Sequence, residues 1–455
     1  MDQQIIIQRL NALLASGRLS EMRGALLMLN PVDIAQYLSS LETENLLRVF
    51  RILPGDCSAD VFSYMDDEQR EKLVSSIGDK EAGHLVENMF VDDAVDFLEE
   101  MPSELVRRVL SNVNEEQRHI INRFLSYPDG SAGSIMTIEY CRLPLGTTVA
   151  EAMDDIRANG VDKETINTLY IVDANGVLRG TLPLRKLITA DDETRVDDLM
   201  DVNFVSVQTH DDREKAAELV RKYDLLSLPV VDKSERLVGI VTVDDIMDVI
   251  QEETTEDIEL MNALTPSEDT YMKTSVWQLA GNRLPWLALM LFGSILTGLI
   301  ITHYEGLLLS VPALGVALTA CIPMLMDSGG NCGQQTSTLV IRALAVGEMQ
   351  PSDTPRVLLK EFRVSLLVGA VLSVVNYLLQ VLVFGRTWLV AFTVSVAMLA
   401  TVVLSKCIGC LLPLGAKALK LDPALTATPL ITTIVDTCSL ILLFEIASVM
   451  LKGVA

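Results

Sequence analysis

The chain has 455 residues, of which 61 are acidic, 36 are basic and 49% are hydrophobic. Only 8 acidic and 11 basic residues follow residue 270, so the first 270 residues hold 53 acids against 25 bases, a net charge of −28, and the remainder carries +3. So negative a field repels nucleic acid and anionic lipid and attracts cations, although an ordinary soluble acidic domain would also show it. Nucleic acid is therefore excluded as a partner.

Residues 1 to 128 are predicted to be helical, because apolar residues recur at spacings of three and four. Three similar helix-turn-helix units follow one another, with breakers such as LPGD and MPSE between helices. Repeated helix pairs favour a short α-superhelix over a closed enzyme domain. The opening MDQQIIIQRLNALL lacks the basic start, apolar core and cleavage site of a signal peptide, so we expect a cytoplasmic N-terminus.

Residues 129 to 250 contain an internal repeat in which β-branched runs alternate with helical stretches. TLYIVDANGVLRGTLPLRKL, at 168 to 187, aligns without gaps to SLPVVDKSERLVGIVTVDDI, at 227 to 246, with a constant offset of 59. Each copy follows a predicted helix. This arrangement resembles a tandem pair of CBS domains, an α/β regulatory module.

The second copy carries the GhhTxxDhh ending of CBS domains as Gly239, Thr242 and Asp245. The resemblance implies that the module pairs internally and sometimes binds adenine nucleotides such as ATP. The first copy has Leu184 and Lys186 near the Thr and Asp positions. We therefore expect at most one nucleotide site, formed around Thr242 and Asp245.

Residues 251 to 282 begin with the acidic run QEETTEDIEL and are expected to form a helix that connects the regulator to the membrane. The final part, 283 to 455, is predicted to be a transmembrane bundle, because five stretches are long enough to cross a ~30 Å hydrocarbon layer. These stretches are 284–303, 312–341, 364–384, 388–412 and 425–450.

The basic residues between these stretches predict their orientation. A cytoplasmic N-terminus assigns seven of them to inner loops and two to outer loops, in agreement with the positive-inside rule. The inner residues are Arg342, Arg356, Lys360, Arg363, Lys406, Lys417 and Lys420, and the outer ones are Arg386 and Lys452. We expect a multi-pass protein of the cell membrane, with its C-terminus outside because the number of spans is odd.

Asp436 lies near the middle of the last stretch, within LITTIVDTCSL and close to Thr432, Thr433 and Thr437. A carboxylate at this depth is costly unless it faces water, a cation or a partner, so it is a functional candidate. The alternative is a structural acid that is protonated or paired with a lysine such as Lys406.

The second stretch contains PMLMDSGGNCGQQTSTLVIRAL, a polar run within an apolar helix. Close helix packing would explain Gly329 and Gly333. It would not explain four other side chains together, namely Asp327, Asn331, Gln334 and Gln335. Asp327 adds an acid beside these amides, and we hypothesise that it has a functional role in this stretch.

Four features together resemble the MgtE family of magnesium channels and transporters over essentially the whole chain. They are GGNCGQQTSTLVIRALAVGE, LDPALTATPLITTIVD, the RLPWL that opens the first stretch, and the CBS pair. The resemblance implies a homodimer with a Mg²⁺ pore between two five-helix bundles. Asp436 would be the main ion site, with Asn331 and Gln334 lining the pore. Because Mg²⁺ holds its water shell tightly, such oxygens would bind the coordinated waters.

The resemblance also implies that cytosolic Mg²⁺ closes the pore by binding between the helical domain, the CBS pair and the connecting helix. The residues that would bind it are all carboxylates. They are Asp92, Asp96, Asp212, Asp224, Asp245, Glu253, Glu256, Asp257 and Asp422. For each one an ordinary solvated surface position is the alternative, since acids are abundant in this part.

Two other classes of protein compete with a Mg²⁺ channel. A membrane-anchored sensor of metal or nucleotide would need the CBS pair, but it would not need Asn331, Gln334 and Asp436 at membrane depth. An enzyme is disfavoured, because the four histidines are dispersed and no nucleophile and base recur at catalytic spacing. We interpret Cys407 and Cys410, a CxxC at the end of an apolar stretch, as packing residues.

Overall fold

The structure is a computed structural model that describes residues 3–267, 271–272, 274–310, 312–426 and 428–451. The chain divides into two compact units, Met1–Gln251 and Glu252–Ala455. The first unit holds the helical domain and the two β-containing repeats. The second unit holds the apolar helices.

The first unit begins with helices of 8 to 13 residues. They are α1 (Gln3–Ala15), α2 (Leu19–Leu26), α3 (Pro31–Ser39), α4 (Thr43–Phe50), α5 (Gly55–Ser63), α6 (Asp67–Ser76), α7 (Asp79–Glu87), α8 (Val91–Glu99), α9 (Ser103–Leu110) and α10 (Glu115–Phe124). Prolines and side-chain caps set several starts: Pro31 opens α3, and Asp66 accepts a hydrogen bond from the Gln69 backbone at 3.0 Å.

These helices stack in two layers. The odd-numbered helices from α3 to α9 pack in succession, and α4 packs on α6 and α8 on α10. Phe62 and Phe97 meet edge to face between the layers, with ring centroids 4.9 Å apart, and both are fully buried. The predicted helical N-terminal domain is confirmed.

The repeat of residues 129 to 250 forms two three-stranded sheets of the same topology. The first contains β1 (Tyr140–Pro144), β2 (Thr165–Val172) and β3 (Leu178–Pro183), and the second contains β4 (Val207–Gln208), β5 (Ser227–Val231) and β6 (Leu237–Thr242). In each sheet the first strand pairs parallel with the second, and the second antiparallel with the third. The offset between β3 and β6 is 59 residues at both ends, as the sequence predicted.

Helices accompany both sheets. They are α11 (Val149–Asn159), α12 (Leu184–Ile188), α13 (Val196–Leu199), α14 (Arg213–Tyr223) and α15 (Val243–Met261). The two copies differ after their last strands. Lys186 donates to the Leu199 carbonyl at 3.4 Å, whereas Asp245, its counterpart in the second copy, accepts hydrogen bonds from the backbone and hydroxyl of Thr242.

The predicted connecting helix has different bounds in the structure. We expected one helix over 251–282, but α15 begins at Val243, directly after β6, and ends at Met261. Its end is a left-handed turn, in which Ala263 has a φ of 56° and the Leu264 backbone donates to the Glu259 carbonyl at 2.9 Å. Residue 282 belongs to the next helix.

The second unit consists mainly of long helices. They are α16 (Val276–His303), α17 (Glu305–Ser310), α18 (Pro312–Thr319), α19 (Ile322–Ala345), α20 (Thr354–Leu382), α21 (Trp388–Ala418) and α22 (Thr428–Leu451). α21 packs on α19, α20 and α22, and α22 also packs on α16 and α19. The core of this bundle includes Phe444, Met398 and Leu325.

Among the described residues, four helices are long and apolar enough to cross a membrane, so the predicted count of five is not confirmed. They span Val276–His303, Pro351–Leu382, Trp388–Ala418 and Leu430–Met450. The predicted stretch 312–341 is interrupted at residues 320–321, and Pro323 lies in the first turn of the helix that follows. That helix, α19, is too polar along its length to resemble a plain lipid-facing span.

Candidate functional site

Glycines bring α19 against two neighbouring helices. A Cβ at Gly329 would lie 2.7 Å from the Thr401 methyl group of α21 and 3.0 Å from Val435 of α22, and one at Gly333 would lie 2.7 Å from the Ser405 hydroxyl. The packing expected of these two glycines is thus observed. α19 has its small residues buried in the bundle.

The polar residues of α19 lie along a different side of the helix. Asp327, Asn331 and Gln334 are spaced i, i+4 and i+7, so they form one stripe, in which Asp327 and Asn331 are exposed and Gln334 is half-buried. Gln335 is also exposed. A carboxylate and amides along one side of a bundle helix offer oxygens to a hydrated cation.

Asp436 lies on α22 next to this stripe. Its side chain is half-buried, and the carboxylate of Asp327 is close enough to interact with it electrostatically. One turn before Asp436, a methyl group of Thr432 lies 3.3 Å from the position of a Cβ on Gly330. The structure therefore brings together the two helices on which the sequence predicted pore residues.

Lys406, the suggested structural partner of Asp436, has other neighbours. Its ammonium lies 3.8 Å from the Glu361 carboxylate of α20 and donates to the Thr336 hydroxyl at 3.2 Å. Lys406 is buried within α21, so its assignment to an inner loop was wrong. Lys452, which was predicted to lie in an outer loop, is outside the described residues.

A second group of acids lies in the first unit, where the helical domain meets the second β-containing repeat. Burial raises the pKa of Asp92 on α8 well above its usual range, and the carboxylates of Asp245, Asp93 and Glu164 raise it further. Burial also raises the pKa of Asp245 to about 6, against the lowering effect of its hydrogen bond from Thr242. Two predicted ligands, from separate domains, therefore share one site.

Three further acids of this site escaped the sequence analysis. Burial raises the pKa of Asp93 to about 6, although the nearby Arg70 lowers it. Burial also raises the pKa of Glu164 to about 7, and neighbouring acids raise it further. Asp244 interacts with both. Asp93 and Asp244 are next in sequence to the predicted ligands Asp92 and Asp245, so the sequence could have indicated them. Glu164 precedes β2 in the first copy, and only the fold brings it to this acid group.

The other acids predicted in the first unit have different surroundings. Asp96 is one turn beyond Asp92 but is exposed. Asp212 caps the start of α14, where it accepts from the Glu214 backbone at 2.8 Å, and Asp224 follows its end with a φ of 51°. Because α14 has 11 residues, Asp212 and Asp224 lie roughly 18 Å apart along its axis and cannot share an ion.

In the second unit, predicted acids from the end of α15 come close to Asp422. Burial raises the pKa of Asp257 to about 6, and Asp422, Glu253 and Glu256 raise it as well, while Lys417 lowers it. Asp422 lies before a short 3₁₀ turn, exposed, and accepts from the Ala424 backbone at 2.8 Å. Four predicted ligands thus form a second carboxylate group.

Within the described residues, no three His, Cys, Asp or Glu side chains form a compact metal-binding group. Direct coordination by several side chains is therefore not a feature of the described part of the chain. Cys407 and Cys410 are free thiols, half-buried and buried. The carboxylate groups above are looser, which suits an ion that keeps its water shell.

Comparison with known proteins bears on this arrangement. A family model described as "MgtE intracellular N domain" matches residues 29–130, one described as "Divalent cation transporter" matches 322–446, and the CBS domain model matches 196–252, the second copy. The magnesium transporter MgtE of Bacillus subtilis (strain 168) is 33% identical over 443 residues, 97% of either chain. The chain belongs to the MgtE family. It is accordingly a multi-pass membrane protein of a transporter family, which is not a family of enzymes.

Two more relatives resemble this MgtE chain. The magnesium transporter MgtE of Thermus thermophilus is 33% identical over 462 residues and covers 100% of both chains. The crystal structure of the cytosolic domain of the Mg²⁺ channel MgtE in complex with ATP is 34% identical, with a TM-score of 0.51, and covers 53% of this chain and 99% of that chain. The helical domain and CBS pair therefore have the fold of an MgtE cytosolic domain.

Proposed function

We propose that this chain is a Mg²⁺ channel for magnesium uptake across the cell membrane, with Asp436 as the main ion site. The observation that carries the proposal is the adjacency of Asp436 to a stripe of polar residues on α19. Asp436, Asp327, Asn331 and Gln334 supply negative charge and amide oxygens to a hydrated Mg²⁺. The printed names of the full-length relatives support magnesium as the transported ion.

The proposed pore forms between two copies of the chain. The stripe on α19 includes exposed acid and amide side chains in a helix whose small residues are buried, and a second copy would enclose this stripe. α18 and α19 together provide a fifth span in this proposal. Five spans place the N-terminus in the cytoplasm and the C-terminus outside. The positive-inside rule supports this orientation, because most of the basic residues between the spans then lie on the cytoplasmic side.

Cytosolic Mg²⁺ closes the channel in this proposal by binding the two carboxylate groups. Asp92 and Asp245 hold one ion with the aid of Asp93 and Glu164, and Asp257, Glu253, Glu256 and Asp422 hold another. Asp96, Asp212 and Asp224 add weaker exposed sites. Without Mg²⁺, repulsion between acids within each group favours separation of the elements that carry them.

ATP is proposed to bind the second CBS copy as a regulator, beside Thr242 and Asp245. The related cytosolic domain in complex with ATP supports this. Asp245 would serve both ligands, so ATP and Mg²⁺ binding should influence each other. Calorimetric titration of the full-length protein with ATP, with and without Mg²⁺, tests this, and identical affinities in both would contradict it.

Flux into proteoliposomes loaded with a Mg²⁺ indicator tests conduction. Asp436→Asn keeps the size of the side chain but removes its charge, and we expect flux to fall by about tenfold or more. Glu348→Gln is the control, since residue 348 is an exposed acid outside the four candidate spans. Wild-type protein without Mg²⁺ flux would favour a membrane-anchored sensor instead.

Patch-clamp recording tests regulation. Current through the reconstituted channel should fall as Mg²⁺ on the cytosolic side rises. Asp92→Asn should shift the inhibitory concentration without changing the single-channel conductance, because Asp92 is remote from α22 in sequence and domain. Current that ignores cytosolic Mg²⁺ would refute closure by the carboxylate groups.

A further inference from the structure

A buried ion pair links three helices of the bundle. The Lys406 ammonium on α21 lies 3.8 Å from the Glu361 carboxylate on α20, and the two side chains are 7% and 15% exposed. The hydroxyl of Thr336 on α19 bridges them, because it accepts from Lys406 at 3.2 Å and donates to Glu361 at 3.1 Å. The Thr336 side chain is buried as well.

Each charge in this network depends on the other. A buried charge is tolerated when it is paired and hydrogen-bonded, and removing one partner leaves the other uncompensated. Glu361 and Lys406 together are neutral, so the pair adds no net charge to the bundle. An unpaired Lys406, in contrast, would place a positive charge beside α19, the helix that carries Asp327 and the amides.

The same region of α21 holds α19 at a second point. The hydroxyl of Ser405, next to Lys406, donates to the Gly329 carbonyl. Gly329 and Thr336 are seven residues apart, two turns of α19, and therefore lie on one side of that helix. Asn331 and Gln334 lie between these two attachment points.

We propose that Glu361 is a positioning residue for ion conduction. It neutralises Lys406 and, through Thr336, fixes the rotation and height of α19, so that the polar stripe that begins at Asp327 stays next to Asp436. Glu361 itself does not bind the ion. This inference depends on the proposed channel function for its flux readout, but its stability readout does not.

A double-mutant cycle tests the pair. Glu361→Gln should reduce Mg²⁺ flux by about tenfold or more, an effect equivalent to about 1.4 kcal/mol, because Lys406 is left charged and unpaired. Adding Lys406→Met to Glu361→Gln should restore flux to within about threefold of wild type, since the bundle is neutral again. The exchanged pair, Glu361→Lys with Lys406→Glu, should also recover part of the flux.

Thermal unfolding of the detergent-solubilised full-length protein provides the second readout. The unfolding temperatures of the two single variants and the double variant should be non-additive, with the double variant the closest to wild type. This stability cycle can be measured even if the wild type conducts no Mg²⁺. A wild type without flux but with non-additive unfolding temperatures would refute the proposed channel function and still support the pairing of Glu361 with Lys406. Additive effects in both readouts would overturn the inference.

Two further variants guard against a trivial loss of folding. Thr336→Val keeps the shape of the side chain and removes the bridge, and it should lower flux by about threefold in the wild type but not in the neutral double variant. Asp154→Asn with Arg157→Gln removes an exposed ion pair of 2.9 Å on α11 and should leave flux and stability unchanged. Equal effects of Thr336→Val in both backgrounds would contradict the bridging role.

Discussion

The carboxylate of Asp92 on α8 interacts with that of Asp245 at the start of α15, so two domains contribute acids to one partly dehydrated site. Like charges in such surroundings repel each other more strongly than they would in water. A divalent cation, or protons, would relieve the repulsion. This relationship gives the strongly acidic first part of the chain a specific energetic role.

Asp92→Asn should stabilise the protein when Mg²⁺ is absent and make it less responsive to Mg²⁺. The amide removes a buried like charge, and a gain of about 1 kcal/mol would raise the melting temperature by about 2–4 °C for a unit of this size. Melting of the full-length protein in detergent, with EDTA or with Mg²⁺, measures both effects.

The matched control for this variant is Glu104→Gln, an exposed acid in the first turn of α9. It carries the same charge change without the acid neighbours, so its melting temperature should follow the wild type in both buffers. An Asp92→Asn protein whose Mg²⁺ response equals that of the wild type would contradict the assignment of Asp92 to an ion site.

Protons should stabilise the first unit in the absence of Mg²⁺. Asp93, Asp245 and Glu164 have folded-state pKa values of about 6, 6 and 7, chiefly because of burial, against 3.8, 3.8 and 4.5 for ordinary groups. Between these limits the folded protein binds more protons than the unfolded one, so its free energy of unfolding falls as pH rises. The contribution is complete below about pH 4 and is lost by about pH 7.

Melting curves in EDTA between pH 5 and pH 7.5 check this sign. The melting temperature should decline across the interval, and Glu164→Gln should flatten the decline because one of the titrating groups is gone. Added Mg²⁺ should reverse most of the loss at the upper end. A melting temperature that rises with pH in EDTA is incompatible with these pKa values.

Asp327→Asn should lower Mg²⁺ flux at low external Mg²⁺, by roughly threefold, and have less effect near saturation. A second carboxylate beside Asp436 attracts cations to the site, and this attraction matters most when ions are scarce. Flux assays over a range of Mg²⁺ concentration separate the two regimes. Glu348→Gln, at an exposed acid that follows α19, is the control, and unchanged flux in Asp327→Asn would remove the hypothesis.

Gly409→Ala should destabilise the bundle, since a Cβ there would overlap the carbonyl of Gly333, and backbone cannot yield as a side chain can. Overpacking of this kind typically costs about 1–3 kcal/mol. Gly415→Ala, on the same helix with no described atom within 4 Å of the added carbon, should be neutral or slightly stabilising. Melting temperature and the yield of monodisperse protein distinguish them.

Periodicity alone predicted most of the fold. Apolar spacings of three and four indicated the stacked helices, and the gap-free repeat gave β3 and β6 with the correct offset, because both patterns are local. The end of α15 was harder to predict, since it depends on the left-handed turn at Ala263. The single span over 312–341 is not confirmed, because the structure divides it at residues 320–321 into α18 and the polar helix α19.

The candidate sites were predictable where one helix carries the signal. Asp436 and the α19 polar run stand out because acids and amides are costly in lipid. Glu164 and the pairing of Glu361 with Lys406 were not predictable, because each depends on which elements pack together. Asp96 follows Asp92 by four residues, a spacing that predicted both carboxylates on one side of α8. Asp96 is nevertheless exposed, whereas Asp92 is buried.

The difference between the two CBS copies also has a structural consequence. The copies keep one strand register, yet Lys186 bonds to a backbone carbonyl where Asp245 of the second copy belongs to the acid group. The first copy nevertheless contributes Glu164, just before β2, to the same acid group. The two copies thus serve one acid group from different positions, so that a ligand bound there would hold both copies and the helical domain together.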